Sequence, residues 1–146
     1  MAYTTTTPNV LNVRDALLKS ADALPSAAST TVNGTGIDIG PTTGISSRTE
    51  RSEFYLSVPA LSTTILPDTK TMTINIQCDS VSTFGSATNF VTSAIVQTGA
   101  SSTGAAAATY RMKLPSNGKR YWRAVAISGA NTTDASALKM TFELTF

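Results

Sequence analysis

KTMTINIQCD, Lys70 to Asp79, alternates without a break: Met72, Ile74, Ile76 and Cys78 fall on one side, Thr71, Thr73, Asn75 and Gln77 on the other. A period of two belongs to a strand with one buried face; a helix brings its apolar residues round every third or fourth position. Cys78 lies on the apolar side, so it reads as a small buried hydrophobe rather than a reactive thiol.

The same period recurs outward from this stretch. SEFYLSV, residues 52–58, puts Phe54, Leu56 and Val58 on one face, and NFVTSAIVQTG, residues 89–99, gives another strand. ATYRMKL sets Tyr110, Met112 and Leu114 against Arg111 and Lys113. LKMTFELTF alternates Leu138, Met140, Phe142, Leu144 and Phe146 with Lys139, Thr141, Glu143 and Thr145. VNGTGIDIG, residues 32–40, places an Asn-Gly turn before a further short segment. About seven or eight strands with no helix between them describe an antiparallel sandwich or barrel.

LPSNGKRYWRAVAISG, residues 114–129, comes closest to a chemical motif. Pro115-Ser116-Asn117-Gly118 joins two alternating segments, and Asn-Gly is a strong hairpin signal because both residues tolerate positive φ. In the returning strand Tyr121, Arg123, Val125 and Ile127 share one face; Arg120, Trp122, Ala124 and Ala126 share the other. A single-strand nucleic-acid binder needs its aromatics and basic residues on one exposed face. Here the basic residues are divided between faces, so the stretch reads as a hairpin with a solvated end, and no nucleic-acid partner is expected.

The first thirty residues differ. NVRDALLKSADAL, residues 12–24, suits a short helix with Asn12 as N-cap, Val13, Ala16, Leu17 and Leu24 on one face, and Pro25 as its end. The domain reading is therefore an arm over residues 1–30 with a short helix, then a β-sandwich over residues 31–146.

Composition narrows the chemistry. The chain contains no histidine, which removes the commonest general base and metal ligand, and its one cysteine excludes a disulfide framework or a multi-thiolate metal site. The candidate carboxylates, Asp38, Glu50, Glu53, Asp68, Asp79, Asp134 and Glu143, mostly fall in turns or on strand faces that read as exposed. No segment has the spacing of a calcium loop, and NGTG and STG lack the helix and lysine of a phosphate-binding loop. RTER, Arg48 to Arg51, is a mixed-charge run suited to a solvated loop or a salt-bridging patch. The net charge of +2 is too balanced for general attraction to a polyanion. No apolar run approaches the ~18 residues of a membrane span. The expectation is a soluble protein made without a secretory signal, with no catalytic residues, no cofactor, no metal and no membrane partner.

The order of these elements resembles the small jelly-roll capsid cement, or decoration, proteins of tailed bacteriophages. DALLKSADAL leads into SAASTTVNGTGIDIG; MTINIQCDS and FGSATNF follow; YRMKLPSNGKRYWRAVAIS and a final alternating strand complete it. Leu114, Pro115, Lys119, Arg120, Tyr121 and Trp122 stand where that family has its most recognisable stretch, and the resemblance runs from Asp15 to Phe146. It implies an all-β, antiparallel jelly-roll-type sandwich that assembles as dimers or trimers. It also implies a structural virion protein, made in the host cytoplasm, that sits on the outer capsid surface and bridges major capsid protein subunits. Tyr3, Val10, Leu11, Val13, Leu17, Leu18, Arg48 and Arg51 are the expected partner contacts. The competing class is a carbohydrate-binding sandwich from a phage fibre or receptor-binding protein, which would present an exposed Trp or Tyr platform beside Asp or Asn. Exposure of Trp122 discriminates the two.

Overall fold

The structure, a computed structural model, describes residues 16–40, 52–130 and 132–145. It is all-β: two antiparallel sheets packed as a sandwich. The strands are β1 (Lys19–Ala23), β2 (Thr31–Asn33), β3 (Ile37–Asp38), β4 (Glu53–Val58), β5 (Thr71–Asp79), β6 (Thr88–Thr98), β7 (Ala108–Lys113), β8 (Tyr121–Ser128) and β9 (Lys139–Thr145). The first sheet runs β1-β9-β4-β7; the second runs β2-β8-β5-β6, with β3 also paired to β8.

The alternation in the sequence becomes the inside and outside of these sheets. Phe54, Leu56 and Val58 of β4 and Met140, Phe142 and Leu144 of β9 face inward from the first sheet, all buried. Met72, Ile74, Ile76 and Cys78 of β5 with Trp122, Ala124 and Ala126 of β8 face them from the second. At the centre Phe54 lies 4.8 Å from Trp122 and is stacked on Phe142 at 4.9 Å, while Phe90 meets the Trp122 ring edge-on at 5.0 Å. Phe54, Phe142 and Trp122 are fully buried, and each such side chain contributes about 1.5–3 kcal/mol by leaving water, while Phe90 is partly exposed at the edge of the cluster.

Loops close the ends. The buried Gln97 side chain donates from one nitrogen to the Pro59 carbonyl at 2.9 Å and the Ala106 carbonyl at 2.7 Å, tying two crossing segments together. Beside it Gly104, at φ +69°, sits where any Cβ would land on the Leu61 carbonyl oxygen. On the opposite side Thr35 donates to Asp22 at 2.7 Å, joining β1 of the first sheet to the β2–β3 link of the second.

Three expectations are corrected. The helix expected over residues 12–24 is not formed in its described part: a single 3-10 turn, Ala16–Leu18, leads into β1, which pairs with β9 from Lys19↔Glu143 to Ala23↔Lys139. Local propensity gives way because β9 offers five residues a ladder, whereas a helix that short is marginal alone. Leu24, expected on the helix face, is buried in the sandwich core.

The hairpin expected across residues 115–118 is also absent. The turn forms, with the Gly118 amide donating to the Pro115 carbonyl at 3.2 Å, but β7 pairs with β4 and β8 pairs with β5. Alternation reports which face a residue occupies, not which strand lies beside it. Buried Leu114 and Trp122 anchor the two ends of the link in opposite sheets. Likewise Asn33-Gly34 does not reverse the chain, since β2 and β3 both lie along β8 as one interrupted edge strand.

Candidate partner surface

A dense set of interlocked polar and aromatic side chains lies on the outer face of the second sheet, at the Tyr121 end of β8. Arg123 points outward from β8 and donates from Nε and a terminal nitrogen to the Gln77 side-chain oxygen of β5, at 3.0 and 2.8 Å. Gln77 in turn donates to Asn89 of β6 at 2.9 Å. One hydrogen-bonded row thus crosses three strands, because β5 sets Gln77 opposite both Arg123 and Asn89.

The β5–β6 loop folds back over this row. The Arg123 guanidinium sits 4.3 Å from the Phe84 ring centroid, and Phe84 rests against Gly36 so closely that a Cβ there would lie 2.5 Å from the ring. Phe84 itself has φ 54°, a backbone state that costs a bulky residue energy and must be held by its surroundings. Asp79 supplies the hold: its carboxylate accepts the amides of Ser80 at 2.6 Å and Ser86 at 2.9 Å. Burial pushes the Asp79 carboxyl upward, but the amides of Ser86, Ser80 and Val81 and the charge of Lys119 outweigh it, leaving the group below the ordinary carboxylate range. Next to it, Arg120 grips Asp38 through two bonds of 2.7 Å.

The carboxylates expected to be exposed are therefore not all so: Asp79 and Glu143 are buried. Asp79 turns in to cap its loop. Glu143 stands on the outer face of the first sheet in a row Lys19–Glu143–Tyr55–Arg111, with Lys19 Nζ at 3.7 Å.

Three arginines cover three aromatic faces: Arg111 over Tyr55 at 4.8 Å, Arg120 over Tyr121 at 5.1 Å, and Arg123 over Phe84. A base or sugar ring stacking there would have to displace a guanidinium from one side. Trp122 is fully buried, with its indole N–H donating to the Lys119 carbonyl at 2.6 Å, so it offers no platform. Among the described residues no three His, Cys, Asp or Glu side chains gather to hold a metal ion, and no helix is long and apolar enough to cross a membrane.

Of the expected contacts, Tyr3, Val10, Leu11, Val13, Arg48 and Arg51 lie outside the described residues. Leu17 is 84% exposed at the entry to β1, while Leu18 is half-buried against the core. The Arg123–Gln77–Asn89 row had only half a signal in the sequence: Gln77 stands on the polar side of its alternating strand, but Arg123 shares its face with Tyr121, Val125 and Ile127. Phe84 carried no signal, since it lies between strands in a Ser/Thr-rich loop.

Acid should unlock this surface. Asp38 is held low by the Arg120 hydrogen bonds against the pull of burial, with help from the Gly40 amide; Asp134 is held low by Ser136; Asp79 is low as described. A carboxyl lowered on folding contributes stability above its unfolded value, about 3.9, and loses it as pH falls through the folded one. With no histidine in the chain, the melting temperature should be flat from about pH 5 to 8 and fall below about pH 4. Calorimetry against pH on wild type and Asp79→Asn checks this: the variant should melt lower at neutral pH and show a shallower acid decline. Identical slopes would remove Asp79 from the account.

Scanned against protein-family models the chain matches none, and no curated protein matches it.

Proposed function

We propose that the chain is a structural virion protein that binds the outside of an icosahedral phage capsid and cements neighbouring major capsid protein subunits. The order of the ladders carries this reading. Because β2 and β3 share one edge of β8, they count as one strand of eight. The first then pairs with the last (β1–β9), the second with the seventh (β2/β3–β8), the third with the sixth (β4–β7), and the middle two together (β5–β6). That nesting supports a jelly roll, an architecture used by viral capsid and lectin domains.

Fold alone does not assign function, and the surface supplies the second support. Its charged groups are engaged in fixed pairs with neighbours in the chain, which suits a preformed contact face rather than a reacting centre. Cementing needs only modest affinity per contact, since several subunits per copy and many copies per shell multiply it. Tyr3, Val10, Leu11, Val13, Leu17, Leu18, Arg48 and Arg51 are the proposed contacts, with the major capsid protein and further copies of the chain as partners. No cofactor is involved.

Co-sedimentation with shells prepared without the protein tests the reading. The full chain should bind saturably, and Arg48→Glu/Arg51→Glu should weaken binding by about tenfold or more. A deletion should stop at residue 15, because β1 and Leu24 belong to the sandwich. Absence of binding by the full chain sinks the proposal and brings the carbohydrate-binding reading forward, to be tried on a glycan array.

A further inference from the structure

The four sheet edges are unequally guarded. Natural edge strands resist pairing with other chains by being short, by carrying charge, or by bulging. At one side of the first sheet β1 has five residues with Lys19 and Asp22, and at the other β7 has six with Arg111 and Lys113. The β2/β3 edge of the second sheet consists of three residues and two, broken at Gly34–Gly36 and carrying Asp38.

The remaining edge is β6, the longest strand at eleven residues, and it has no charged residue. From Ser80 to Tyr110 there is no Asp, Glu, Lys or Arg at all. Among the described residues β6 is hydrogen-bonded as a strand to β5 alone. Its protection is partial: register shifts opposite Ile74–Gln77 and the positive φ of Ser93 disturb the first part. The second part, Ile95 to Thr98, pairs regularly with Ile74 to Thr71 and carries Val96, an apolar side chain 51% exposed.

We propose that two copies of this chain associate through β6, edge to edge and antiparallel, joining their second sheets across a two-fold axis. The charge pattern selects a second copy as the occupant. A two-fold contact brings a strand against itself, so each charge near the axis meets its like, and like charges across strands are destabilising. A strand that must pair with itself is best left neutral, and β6 is the long edge that is neutral. Thr92, Val96 and Thr98 are β-branched, the type that fills cross-strand positions well. The dimer leaves the outer face of each first sheet uncovered by this contact. The inference selects the dimer within the oligomeric part of the proposed function, and it holds whether or not the chain binds a shell.

Sedimentation velocity of the full chain over a concentration series tests it, with Val96→Lys, Thr98→Lys and, on the far edge of the same sheet, Thr31→Lys on β2. Wild type should be a reversible dimer. Each β6 substitution acts twice across the axis and should raise the dimer dissociation constant by about tenfold or more, while Thr31→Lys leaves it unchanged. Unaltered circular dichroism of the lysine variants confirms that they fold, as expected for exposed positions. A monomer at every concentration, a trimer, or a dimer indifferent to both β6 variants overturns the proposal. Shell binding is measured separately, so loss of one reading leaves the other standing.

Discussion

Trp122→Ala should be the most damaging single truncation in the molecule, lowering stability by about 3–5 kcal/mol. The indole is fully buried, flanked by Phe54 and Phe90, and its N–H is satisfied by the Lys119 carbonyl. Removing it empties the centre of an aromatic cluster whose neighbours are fixed in two different sheets, so the cavity has little chance to collapse. For a chain of this size that loss corresponds to a fall in melting temperature of roughly 10–15 °C. Trp122→Phe keeps a ring against Phe54 but strands the Lys119 carbonyl, and should fall between the two. Calorimetry on the three proteins decides it; a change under about 1 kcal/mol for the alanine variant would mean the cluster is not the centre of the fold.

Gly104→Ala should come second, at roughly 3 kcal/mol or more, although it adds one methyl group. Two costs combine. The residue sits at φ +69°, and its Cβ would meet the Leu61 carbonyl oxygen and the Ser62 carbonyl carbon, both backbone and unable to rotate away. The mutual bonds of 2.9 Å between Ala100 and Gly104, and of 2.8 Å between Leu61 and Ala105, fix both sides of the clash. Gly40→Ala separates the terms. It has φ +81° with nothing within reach of a Cβ, so it bears the backbone cost alone, about 1 kcal/mol. Denaturant unfolding should show the difference, and equal losses would mean that the Leu61–Ser62 backbone shifts freely.

The inner faces of the sandwich were legible because the period of two survives in β4, β5 and β9: Phe54, Leu56 and Val58, Met72 through Cys78, and Met140 through Leu144 are buried as their spacing says. By contrast, β6 loses it at its register shifts. Partners were less legible. Tyr110–Leu114 and Tyr121–Ile127 alternate correctly, yet their neighbours lie at Glu53–Val58 and Thr71–Asp79, far along the chain. A turn signal between adjacent strands fixes the bend but not the sheet each strand enters. Residues 19–23 failed differently: KSADA has no strand character of its own, and becomes one only because β9 has a vacant side. The outer face of the second sheet was half visible, since Gln77 stood on a polar face while Arg123 stood among Tyr121, Val125 and Ile127, and the Phe84 loop depends on a single carboxylate whose role no spacing announces.

The nested ladders also bear on how the molecule is made. β9 separates β1 from β4, and β8 separates the β2/β3 edge from β5. While a ribosome is still short of these two strands, only the β4–β7 and β5–β6 ladders have both their members. Phe54, Leu56 and Ile74 then wait uncovered while β8 and β9 are made, about 1–5 s at roughly 5–20 residues per second. Each sheet therefore closes late, because its interior partner, β9 in one and β8 in the other, is the last of its strands to be made.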